Sequence, residues 1–196
     1  MDALMRLSRG IDAVNERIGR AVYWLVLAMV LVSAGNAIIR KTLNMSSNAW
    51  LELQWYLFSA VFLLCAAYTL LRNEHVRIDI VAGRLSPRGQ AWIDVFGTIF
   101  FLLPMTIMIG LLSWPYFVRA YVHNEISGSA GGLTLWPARL LLPVGFLLVT
   151  LQGLSELIKR IAFLAGRGPD PIVRDERNAE AELAEEIRRL AEEKLQ

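Results

Sequence analysis

Val95-Phe96-Gly97-Thr98-Ile99-Phe100-Phe101-Leu102-Leu103-Pro104 and on to Val118 make 24 residues without one charged side chain, with Asp94 just before them. As a helix rising about 1.5 Å per residue, such a run outspans a hydrocarbon core roughly 30 Å thick. Working outward, three more stretches have the same character. Ala21–Ile39 and Leu53–Leu71 are each 19 residues without a charge, the second preceded by Glu52. Leu140–Ser155 adds 16 more and extends backward through Thr134-Leu135-Trp136-Pro137. A water-soluble bundle would have to cover every face of four such helices, and too little chain remains to do so. The sequence therefore predicts an all-α membrane protein with spans at about 21–39, 50–71, 91–117 and 135–158. Residues 1–20 precede this 21–165 domain and a charged tail, 166–196, follows it.

Composition agrees: 55% of the 196 residues are hydrophobic and 19% charged, with a mean hydropathy of +0.43. The net charge of +2 says less than where the charges lie. Lys and Arg number four before the first span, two in the first connection, four in the second and eight beyond the last, from Lys159 on. The third connection and the start of the fourth helix hold only Arg119 and Arg139. Basic residues collect on the cytoplasmic side, so both termini are expected in the cytoplasm. Trp24, Trp50, Trp92, Trp114 and Trp136 fall near span ends, where indole rings favour the headgroup level; Trp55 sits deeper. The first apolar run lies behind some twenty polar and amphipathic residues with no convincing cleavage site, so the first helix is expected to stay in the mature protein.

Within residues 1–20, Leu4, Leu7, Ile11, Val14 and Ile18 recur at spacings of three and four. That is an amphipathic helix, suited to the membrane surface or to a partner protein. Ser86-Pro87 reads as an N-cap and first helical residue launching the third span. Pro104, in mid-span, removes a backbone hydrogen bond and predicts a kink. Gly128-Ser129-Ala130-Gly131-Gly132 is a flexible stretch of the third connection. Residues 174–196, rich in Glu, Ala, Arg and Leu, read as a solvated helix in which Glu185 and Arg189 stand four apart; its thin seam of Leu183, Ile187 and Leu190 leaves a frayed tail, a docking helix or a short coiled coil open.

The search for chemistry returns little. His75 and His123 are expected on opposite sides of the membrane, so they share neither a metal nor a haem, and the spans contain no histidine. His75 and Asp79 make only two potential ligands. Cys65 stands alone and reads as a small core residue. No nucleophilic triad or phosphate-cradling loop is present, so neither an enzyme, a metal site, a cofactor nor a nucleic-acid partner is expected. Glu52 and Asp94 lie at helix beginnings, which suits an interfacial or paired acid better than a mid-depth coupling site. Asn36 and Gln54 are available for hydrogen bonds between helices. Arg72, His75, Arg77 and Asp79 pack charge densely after the second span and are expected to form a structural cluster.

Three stretches carry a family resemblance: Trp50-Leu51-Glu52-Leu53-Gln54-Trp55-Tyr56-Leu57-Phe58, His75-Val76-Arg77-Ile78-Asp79, and Trp136-Pro137 with Leu142-Pro143-Val144-Gly145-Phe146. Together they resemble the small membrane subunit (DctQ type) of tripartite ATP-independent periplasmic transporters, over roughly residues 10–165. The resemblance implies a bacterial inner-membrane protein that works beside a large membrane transport subunit. A periplasmic substrate-binding protein delivers an organic acid, and a cation gradient, usually sodium, drives its import. The small subunit is then a non-catalytic scaffold. Trp50, Glu52, Tyr56, Arg72, His75, Arg77, Asp79, Asp94 and Trp136 are its candidate partner-contacting or lipid-contacting positions. Membrane lipids would be held by interfacial tryptophans, the surface helix and basic loop residues. The residues alone leave two other readings open: a self-sufficient oligomeric transporter or channel using Glu52 or Asp94, and a membrane anchor for a redox enzyme.

Overall fold

The computed structural model describes residues 2–43, 47–73 and 85–168, together with 184, 187 and 188. Four helices long and apolar enough to cross a membrane lie among them. They are α1 (Asp2–Leu43), α2 (Asn48–Leu71), α3 (Pro87–Val122) and α4 (Trp136–Leu164). Consecutive helices run antiparallel, which brings the start of α1 and the end of α4 to one end of the bundle. No strand occurs among the described residues; one antiparallel bridge joins Ile126 to Thr134 in the α3–α4 connection.

The start of α3 has a reason in the sequence. Ser86 caps α3: its hydroxyl accepts a hydrogen bond from the Gly89 N–H, and Pro87 takes the first helical position. Just before Pro104, where a kink was expected, lies a π-helical turn, Thr98–Leu102. One wide turn there shifts the backbone register ahead of the residue that has no N–H to give. Beyond it, Leu103–Val122 returns to regular α-helix despite Pro115.

α1 differs most from its expected form. Residues 1–20 were expected as a separate surface helix, yet α1 runs unbroken for 42 residues, about 63 Å. Nothing near residue 20 stops a helix: Gly19 is isolated, and its missing side chain is filled by Tyr68 of α2. The amphipathic segment also turns its polar stripe inward. Ser8 and Asn15 are buried, whereas Leu4, Leu7 and Val14 face outward, Leu7 at 56% exposure.

α4 is the hub, packing against α1, α2 and α3, while α3 packs chiefly on α4. The contacts are made by small residues. A Cβ on Gly145 would come within 2.9 Å of Leu63 Cβ and 3.0 Å of its carbonyl oxygen, so α2 and α4 touch backbone to side chain. Gly153 admits Leu102 of the π turn in the same way. Ala67, Ala91, Ala120 and Ala162 complete the buried apolar set with Val22, Val95 and Leu148. Large apolar side chains point outward instead, among them Trp24, Trp55, Phe62, Phe100, Phe101 and Leu111. A lipid solvent explains this inversion: tails are as apolar as leucine, so helices associate through close packing of small residues, not by hiding large ones.

Candidate functional site

Polar side chains gather at the two ends of the bundle. At the end away from α1's start, one face of α2 carries Asn48, Glu52 and Tyr56 at spacings of four, so all three point the same way. All three hold the α3–α4 connection. Asn48 Nδ2 donates to the Ala130 carbonyl at 3.1 Å, and the Tyr56 hydroxyl donates to the Thr134 carbonyl at 3.1 Å. Between them, Glu52 accepts from the Ser127 hydroxyl through Oε1 and from the Leu133 N–H, 2.7 Å away, through Oε2. The connection closes on itself through Ser127 N–H to Leu133 C=O and Gly132 N–H to Ser129 C=O, both 2.9 Å. Gly131 has φ +72°, and a Cβ on Gly132 would lie 3.0 Å from Glu52 Oε1, so glycines let this loop close over the carboxylate. Glu125 then takes Arg119 at 3.2 Å and Arg139 at 2.5 Å, and Arg139 stacks 4.0 Å over the Tyr116 ring. Trp136 opens α4 and meets Tyr121 edge-on at 5.7 Å.

At the opposite end, among the described residues, three ion pairs join different helices. Arg72 reaches Glu16 at 2.8 Å, joining α2 to α1. Lys159 reaches Asp12 at 3.3 Å, joining α4 to α1. Arg160, only 4% exposed, reaches Asp94 at 3.1 Å, joining α4 to α3. Around Asp12 lies a buried network. Ser155 Oγ donates to Asp12 at 2.7 Å, and Gln152 Nε2 donates to Asp12 and to Glu156, both at 3.0 Å. Asn15 Nδ2 donates to Gln152 Oε1 at 2.7 Å, and the Ser8 and Ser155 hydroxyls lie 2.7 Å apart.

The structure therefore brings Glu52 and Tyr56 together in one latch and gives Asp94 a partner inside the chain. Trp50, half exposed, lies on another face of α2. Arg72 lies in the opposite latch, while His75, Arg77 and Asp79 fall outside the described residues. Sequence reading missed Ser8, Asp12, Asn15, Glu16, Glu125, Gln152, Ser155, Glu156, Lys159 and Arg160. A signal was present: Ser8, Asp12 and Asn15 form a polar stripe at spacings of four and three, and Gln152, Ser155 and Lys159 form another. No group of three potential metal ligands occurs among the described residues.

Four helices long and apolar enough to span, with polar side chains joined across the two ends of the bundle, define a multi-pass membrane protein. Residues 29–163 match the family described as the DctQ component of tripartite ATP-independent periplasmic transporters, and the chain belongs to that family. No curated protein and no solved structure matches it. It is thus a component of a membrane transporter, from a family of transporter components and not of enzymes.

Proposed function

We propose that this chain is the small permease subunit of a secondary-active, binding-protein-dependent importer of an organic acid, and that it serves as a fixed scaffold for the large transport subunit. The carrying observation is where its acids sit. Glu52, Asp12, Glu16 and Asp94 all lie toward the ends of the bundle, each bound to another element of the chain. A coupling site for a moving ion calls instead for exposed or exchangeable groups near mid-depth. Membership of the family supports the partnership with a large membrane subunit and, through it, a periplasmic binding protein. The basic residues at the end holding the start of α1 and the end of α4 support a cytoplasmic location for that end in the bacterial inner membrane. The Arg72–Glu16 pair supports reading His75, Arg77 and Asp79 as further structural positions next to it. Sodium is the proposed coupling ion on the family's general behaviour.

Reconstitution tests this. Liposomes holding the chain alone are expected to show no organic-acid uptake under a sodium gradient, and uptake is expected once the large subunit and binding protein are added. Uptake by the chain alone, abolished by Glu52→Gln, would replace the scaffold with a self-sufficient transporter.

A further inference from the structure

Between α1 and α2, at the end away from the start of α1, lies an open groove of about 650 Å³ lined by Ser33, Asn36, Ala37, Arg40, Lys41 and Gln54. That volume falls among those of small-ligand clefts. The lining differs from the neighbouring outward surface, where Val30, Leu31, Ile38, Ile39, Phe58 and Phe62 are exposed. Among the described residues, none of the five polar side chains in the groove has a hydrogen bond or ion pair within the chain. Polar groups facing hydrocarbon without a partner are costly, so such a groove calls for an occupant.

Depth indicates which occupant. Arg40 and Lys41 stand in the last turn of α1, directly after the uncharged run Ala21–Ile39, and so at headgroup level. Asn36 lies about 6 Å deeper along the helix and Ser33 about 10 Å deeper. Gln54 faces them from α2. Below the polar groups, Val30 and Phe58 continue the same helix faces as exposed apolar surface. Cations at the top, amides beneath and hydrocarbon below repeat the order of a phospholipid: phosphate, ester carbonyls, acyl chain. We infer that this groove is a binding site for an anionic phospholipid, with Arg40 and Lys41 on the phosphodiester and Asn36 and Gln54 donating to the ester carbonyls. Two adjacent cations favour a headgroup of net negative charge over a zwitterionic one. The inference stands apart from the scaffold reading and holds for the chain whether or not it carries a partner.

The test is native mass spectrometry of the delipidated full-length chain, titrated with phosphatidylglycerol, phosphatidylcholine and glycerol 3-phosphate. The wild type is expected to prefer phosphatidylglycerol over phosphatidylcholine. The Arg40→Gln/Lys41→Gln variant should weaken phosphatidylglycerol binding by on the order of tenfold to thirtyfold. Asn36→Leu/Gln54→Leu should weaken both lipids together. Should the charge variant lose its helicity by circular dichroism, Lys41→Gln alone, at an exposed side chain, carries the comparison. Undiminished binding in the variants, or equal affinity for the two lipids, overturns the inference. Displacement of bound lipid by millimolar glycerol 3-phosphate would assign the groove to a soluble phosphate and overturns it too. So does a variant that binds lipid normally but no longer holds the large subunit, since that makes the groove a protein contact.

Discussion

At the scale of single residues, Glu52 illustrates how an acid beside a span can be structural. Its two carboxylate oxygens are divided between Ser127 and Leu133, so it fastens a loop and leaves no oxygen without a donor. Glu52→Gln keeps one acceptor but replaces the other with a donor facing an N–H or a hydroxyl. Hydrogen–deuterium exchange of residues 125–135 is expected to quicken in that variant, with the rest of the bundle unchanged. Unaltered exchange in the loop would show that Glu52 does not hold it. The sequence made part of this legible. Glu52 could be placed at an interface, and the shared face of Asn48, Glu52 and Tyr56 follows from helical spacing. Its partners could not be found that way, because they lie 75 and 81 residues further on and are chosen by how the connection folds. The same holds for Asp94, whose acid was visible but whose partner, Arg160, lay beyond the expected end of its span.

At the scale of elements, the four spans were legible because an uncharged run of this length has few other uses. The length of an apolar run does not by itself say where its helix ends. The fourth span was expected over about 135–158; the helix that carries it runs on to Leu164, with Lys159 and Arg160 pairing across to Asp12 and Asp94 inside the bundle. A charge ends an apolar run without ending a helix. Breaking one such pair tests this directly. Arg160→Met leaves Asp94 without that partner and should lower stability by about 3 kcal/mol, read by denaturant titration in mild detergent. Adding Asp94→Leu should recover most of the loss; a double variant as weak as the single would mean that packing of Arg160, not its charge, matters. Close helix approach gives a second test. Gly145→Leu must push against Leu63 Cβ and its carbonyl, so a loss of ~2 kcal/mol is expected. A neutral effect would show that α2 and α4 separate freely at that level.

At the scale of the whole molecule, a central α4 with small residues at its contacts and ion pairs at both ends describes a bundle tied at several independent points. Polar latches at both ends join helices distant in sequence: α1 to α4 through residues 8–15 and 152–159, and α2 to the α3–α4 connection. Such ties suit the proposed scaffold role, that of a part against which another part moves. Its large outward side chains, from Trp24 on α1 to Leu111 on α3, are left for lipid or a larger partner to cover. The central claim is that this partner is a transport subunit. Affinity purification of the full chain from its native host in mild detergent, with mass spectrometry of what accompanies it, tests that claim most directly. A large polytopic membrane protein in near-equal amount is the result predicted. The chain recovered alone, or only with further copies of itself, would contradict the account.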